Sequence, residues 1–184
     1  MDVDSSSPSA DLRGAVLMAA FSLAWFMWAA SSLQPPWRAR AAAVGLVLPA
    51  ALLALGRRTA RVVRRDGPPP SPFRVPFYRW AVLFEALAVP VAVIVLSRLN
   101  LSEYIPTAVA VIVGVHFLGL TAAFGGQLYT IVGLGMIGVG VAAPFGAPAA
   151  DWVVIVSGGC GVILWVTAAI RILAVRTALA SGES

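Results

Sequence analysis

The sequence predicts an all-α fold: a polytopic transmembrane helix bundle of six spans with both termini cytoplasmic. Three observations predict it. Of the 184 residues, 60% are hydrophobic and only 11% charged, which leaves a soluble domain of this size too little polar surface to meet water. Six apolar segments approach the roughly twenty residues that a helix needs to cross a bilayer, allowing for arginines that snorkel at the ends. All thirteen basic residues are Arg, and they cluster beside those segments, as membrane topology requires and nucleic-acid binding does not.

Residues 1–13, MDVDSSSPSADLR, carry three Asp and one Arg, the opposite of the basic start of a secretory signal peptide. The first span is therefore expected to be retained, behind a short disordered tail. Spans are expected near 14–33, 40–56, 79–97, 104–124, 127–143 and 152–170, forming one transmembrane domain over 14–175 with a C-terminal tail at 176–184. The second is short and contains Pro49, but its helix is expected to run on into the amphipathic RRTARVVRR at 57–65, whose arginines belong among headgroups. The DGPPPSPFRVP stretch that follows is proline-rich and should be extended.

The basic 57–79 loop holds Arg57, Arg58, Arg61, Arg64, Arg65, Arg74 and Arg79. With six spans it shares a face with Arg13, Arg171 and Arg176, while Arg38, Arg40 and Arg98 fall on the other. Positively charged short loops stay cytoplasmic, so both termini are expected inside, in the plasma (inner) membrane. Arg57, Arg58, Arg61, Arg64 and Arg65 serve this topology signal and are also where an anionic lipid would be held. The first and last three spans show no internal repeat, which counts against an inverted-repeat transporter.

Several motifs are decoys. GLGMIG at 133–138 has dinucleotide-binding spacing but lies inside an apolar span, so Gly133, Gly135, Gly138 and Gly140 are expected to serve close helix packing. In SGGCG at 157–161, Ser157 and Gly161 have small-xxx-small spacing, and Cys160 reads as apolar filler. Ser157 and His116 are expected at depths differing by roughly 7–10 Å, too far apart for a serine–histidine dyad. One Cys and one His cannot assemble a zinc site, and neither metal nor cofactor is expected.

What stands out is a pair of ionisable groups in otherwise apolar spans. Spans three and four should form an antiparallel pair joined near Asn100 and Leu101, and reflecting position 85 about that turn gives 116. Glu85 and His116 are therefore expected at one level. A carboxylate unpaired at that depth costs several kcal/mol, so Glu85 must be neutral, hydrogen-bonded or beside a wet cavity. Pro90 cannot donate to the carbonyl of Ala86, which predicts a kink and a free acceptor one turn beyond the glutamate. Trp25, Trp28 and Trp165 lie at similar depth, and Phe84 and Phe117 flank the two ionisable residues. Ring packing explains each aromatic singly; together with Glu85 and His116 they predict a small pocket for a lipophilic substrate.

The IVGVHFLGL stretch after a glutamate-bearing helix, with its G-x-H-F-x-x-L pattern, resembles small bacterial multi-pass membrane proteins, mostly uncharacterised, chiefly over spans three to five. In general character the chain is also similar to small membrane-bound terpene cyclases. That likeness implies an intramembrane cyclase or isomerase in terpenoid biosynthesis. Glu85 would protonate an epoxide or alkene, with the aromatic faces stabilising a carbocation and His116 orienting the acid or removing a final proton. Two alternatives stand beside it. One is a proton-coupled transporter or channel using Glu85 and His116; the other is a non-catalytic membrane subunit in which the two residues tie helices together.

Overall fold

A computed structural model of the chain describes residues 8–63, 75–124 and 126–181, and all regular structure among them is helical. Six helices follow in order: α1 (Pro8–Ser31), α2 (Trp37–Val62), α3 (Pro76–Arg98), α4 (Ile105–Phe124), α5 (Gln127–Gly146) and α6 (Trp152–Ser181). Each is long and apolar enough to span a membrane. The chain is therefore a multi-pass, all-α membrane protein. The expected extended segment as far as Arg74 lies outside the described residues, as do Arg64 and Arg65 of the expected amphipathic stretch, residues 1–7 and residues 182–184.

Helix boundaries follow local chemistry. Pro76 opens α3 at the position where a missing N–H costs nothing. α3 then runs unbroken through Pro90 to Arg98. Its end is a Schellman arrangement: Asn100 adopts a left-handed φ of 56°, and the Leu101 N–H donates to the Leu96 carbonyl at 2.8 Å. Asn fits here because its short polar side chain tolerates that conformation better than most residues. A single 3-10 turn, Ser102–Tyr104, leads into α4. At the other end of the chain, α6 continues well past the expected boundary near residue 170, through Arg171 and Arg176 to Ser181.

The fold partitions into two compact units. The first comprises α1, α2 and the part of α6 from Gly161 onward. In lipid no hydrophobic effect draws helices together, so small residues that admit a partner's side chain carry the packing. Phe26 of α1 illustrates this, since a Cβ at Gly45 would stand 2.7 Å from its Cβ and one at Gly161 would stand 2.9 Å from its ring. Gly56 similarly admits Val16 and Ile172. Ser22, fully buried, returns its hydroxyl to the Ala19 carbonyl.

The second unit comprises α3, α4, α5 and the start of α6 through Cys160. Here α4 packs against both α3 and α5. Gly114 and Gly133 face each other so closely that a Cβ on either would fall 2.7 Å from the other's carbonyl oxygen. Gly140 sits against Ala110, and Gly159 against Val139. Of the glycines expected to pack, Gly133 and Gly140 do so, whereas Gly138 faces open space. The correction is one of helical phase: Gly138 lies about 100° per residue round from Gly140, on the side away from α4. Trp152 donates its Nε1–H to the Ala147 carbonyl at 2.9 Å and packs against Tyr104.

Candidate functional site

The close approach of α3 and α4 is set at Ala81 and Gly119. A Cβ on Gly119 would lie 3.1 Å from the Cβ of Ala81, so glycine is what lets the two backbones meet there. One turn earlier on α4, His116 then reaches back to α3. Its Nδ1 lies 3.1 Å from the Ala81 carbonyl oxygen and 3.0 Å from Glu85 Oε2.

This geometry favours one tautomer. A backbone carbonyl only accepts, so the Ala81 contact is a hydrogen bond when His116 Nδ1 carries the hydrogen, and the Glu85 carboxyl stands beside that nitrogen as a charge partner. The helical pattern already directs the Glu85 N–H at the same Ala81 carbonyl, and the imidazole takes that oxygen's second lone pair. With Nδ1–H held in place, the atoms left to exchange protons are His116 Nε2 and Glu85 Oε1.

The pair is not sealed. The His116 side chain is 12% exposed and that of Glu85 30%. Glu85 lies in a shallow, open groove of about 410 Å³ on one face of α3, lined also by Val82, Ala86, Val89 and Pro90 of the same helix. The rest of α3 is largely exposed, including Phe77, Trp80, Leu87, Val91 and Ile94. A helix so apolar and so exposed belongs against acyl chains.

The expected aromatic residues divide. Phe117 is buried, meets the His116 ring edge-on at 5.8 Å between centroids, and stacks on Tyr129 of α5 at 6.5 Å. Phe84 is 45% exposed and is not part of the groove lining, because it lies one residue, about 100° of helix, away from Glu85. Trp25 and Trp28 stack on each other at 5.4 Å within the first unit. Trp165 also belongs to that unit, and its Nε1 is buried without a hydrogen-bond partner among the described residues. Glu85, His116 and Phe117 are thus assembled within the second unit, and the three tryptophans belong to the first.

Four contributors were not anticipated: Ala81, Gly119, Tyr129 and a hydroxyl pair between Thr121 and Thr130, 3.2 Å apart across α4 and α5. A usable signal existed for the last. Reflecting 121 about the midpoint between the end of α4 and the start of α5 gives 130, the same construction that paired 85 with 116. Ser157 is fully buried with no partner among the described residues, and Cys160 is buried as a free thiol.

A second groove, of about 500 Å³, lies at the end of α2 and is lined by Arg57, Ala60, Arg61 and Val63. Arg57 and Arg61, four residues apart, share one helix face. Among the described residues no group of three metal-ligating side chains converges. No protein-family model, curated protein or solved structure matches the chain.

Proposed function

We propose that this membrane protein uses the Glu85–His116 pair to exchange a proton with a lipophilic ligand that reaches α3 from the bilayer, as a proton-coupled transporter does. One observation carries the reading: a carboxyl and an imidazole, 3.0 Å apart, lie beside an aliphatic depression on an apolar, exposed helix. An ionisable pair in such surroundings is costly unless it is used. Ligand bound at Glu85 Oε1 displaces the mobile proton of the pair, which leaves from Oε1 or from His116 Nε2. Nδ1–H stays on Ala81 throughout.

The test uses full-length protein in proteoliposomes loaded with a pH-sensitive dye and challenged with lipophilic amines, alcohols and acids. Wild type is expected to couple solute flux to proton counterflow, and Glu85→Gln to abolish the coupling. Undiminished coupling in Glu85→Gln refutes the proposal.

A second reading, an intramembrane cyclase or isomerase acting on a terpenoid-like substrate, draws support from the stack of Phe117 on Tyr129 beside His116, which brings π-faces close to the acid. Product formation in detergent, with no gradient, would favour it. A fully active Glu85→Gln variant would exclude it.

Two further expectations belong with the function. The arginine distribution supports cytoplasmic termini in the plasma membrane, testable with reporter fusions after residues 101 and 184. The Arg57/Arg61 groove supports an anionic headgroup partner, with Arg58 beside it on the same helix. Co-purified phosphatidylglycerol should fall in the double variant Arg57→Gln/Arg61→Gln.

A further inference from the structure

The α3 groove has walls of two kinds. Val82, Val89 and the ring of Pro90 are aliphatic, and Glu85 and Ala86 supply oxygen. With Glu85 ionised, every polar group it offers is an acceptor. Glu85 Oε2 already lies 3.0 Å from His116 Nδ1, which leaves Oε1 as the carboxyl oxygen to offer a ligand. The Ala86 carbonyl loses its helical donor because the residue four positions on is Pro90, which has no N–H. Helix carbonyls point along the axis toward the C-terminus, so the Ala86 oxygen is directed along the groove toward Pro90. The lining N–H groups of Val82, Glu85, Ala86 and Val89 are committed to the helix ladder.

A ligand for this groove must therefore bring the hydrogens. It should also bring positive charge, because with His116 neutral no other charge partner among the described residues offsets an ionised Glu85 in hydrocarbon. From Val82 to Pro90 the groove extends about 12 Å along the helix, room for an alkyl tail beyond the oxygen pair. From this acceptor-only lining we infer that the ligand is a lipophilic primary ammonium, its N–H groups on Glu85 Oε1 and the Ala86 carbonyl and its tail against Val89 and Pro90. The inference names the ligand class of the site proposed above and rests on that site being a binding site. It excludes anionic amphiphiles by charge, and it ranks quaternary ammonium ions below primary ones because they have no N–H for Ala86.

The experiment measures equilibrium binding of decylammonium, decyltrimethylammonium, decanol and decyl sulfate to the full chain in an uncharged detergent. Decylammonium should bind saturably, about tenfold or more tightly than decyltrimethylammonium, the scale set by one charge-assisted hydrogen bond. Glu85→Gln should weaken both cations by about tenfold or more. Pro90→Ala restores an N–H for the Ala86 carbonyl and favours the helix, so it should fold; it should reduce the preference for decylammonium several-fold and leave decyltrimethylammonium unchanged. Decanol or decyl sulfate binding as tightly as decylammonium, equal affinity for the two cations, or an unaltered preference in Pro90→Ala would overturn the inference. Decylammonium binding in the expected pattern without proton release would instead fault the exchange reading and leave the ligand class standing. Proton-coupled flux of an anionic solute would do the reverse.

Discussion

Replacing Gly119 by valine tests whether helix spacing creates the site. The new Cβ would start 3.1 Å from the Cβ of Ala81, and carbon atoms rest at about 3.5–4.0 Å, so α3 and α4 must separate by about 0.4–0.9 Å. The 3.1 Å contact between His116 Nδ1 and the Ala81 oxygen then stretches to about 3.5–4.0 Å, at or beyond the limit of a hydrogen bond. Overpacking costs about 1–3 kcal/mol, and the lost intramembrane bond adds about 0.6 kcal/mol. For a chain of this length each kcal/mol lowers the unfolding temperature by about 2–4 °C. His116 is the only histidine, so nitrogen NMR of the imidazole reads this site without assignment. Wild type should show a protonated, hydrogen-bonded Nδ1, and Gly119→Val a shift toward a mixture of tautomers. Gly119→Ala places the same Cβ without valine's two Cγ methyls, so it should shift the spectrum and the unfolding temperature in the same direction by less. An unchanged imidazole spectrum and unfolding temperature in Gly119→Val would refute the reasoning.

Three further outcomes can be measured by thermal unfolding in detergent. Asn100→Gly should leave stability within a few tenths of a kcal/mol, whereas Asn100→Val should cost about 1–2 kcal/mol, because a branched residue is strained at φ 56°. Gly133→Ala should destabilise by about 1–3 kcal/mol or more, since its Cβ would meet the Gly114 carbonyl, which cannot swing away like a side chain. Thr121→Val should cost less than about 1 kcal/mol, and in Thr130→Val the same loss should not recur, because the two hydroxyls share one interaction.

Much of the fold could be read from hydropathy because a bilayer allows few solutions: runs long enough to cross it become helices. The level of Glu85 opposite His116 could be read too, since a tight turn at Asn100 makes distance along one helix equal distance along the next. That reflection holds only between consecutive spans. Trp25, Trp28 and Trp165 have no turn tying them to Glu85, and equal depth did not predict that they belong to the other unit. Azimuth was lost as well: Phe84 adjoins Glu85 in the chain yet lies off the groove. The extension of α6 past residue 170 was missed because hydropathy marks where lipid ends and not where a helix does.

Asn100 gives α3 and α4 a common origin from which the heights of both ionisable groups are measured. One residue inserted into α4 ahead of His116 would raise the imidazole by about 1.5 Å and rotate it by about 100°, carrying it off both its oxygen partners at once. The length of chain between residues 85 and 116 is therefore as much a part of the site as the two side chains are. Such a segment tolerates exchange of its lipid-facing residues far better than any change in their number.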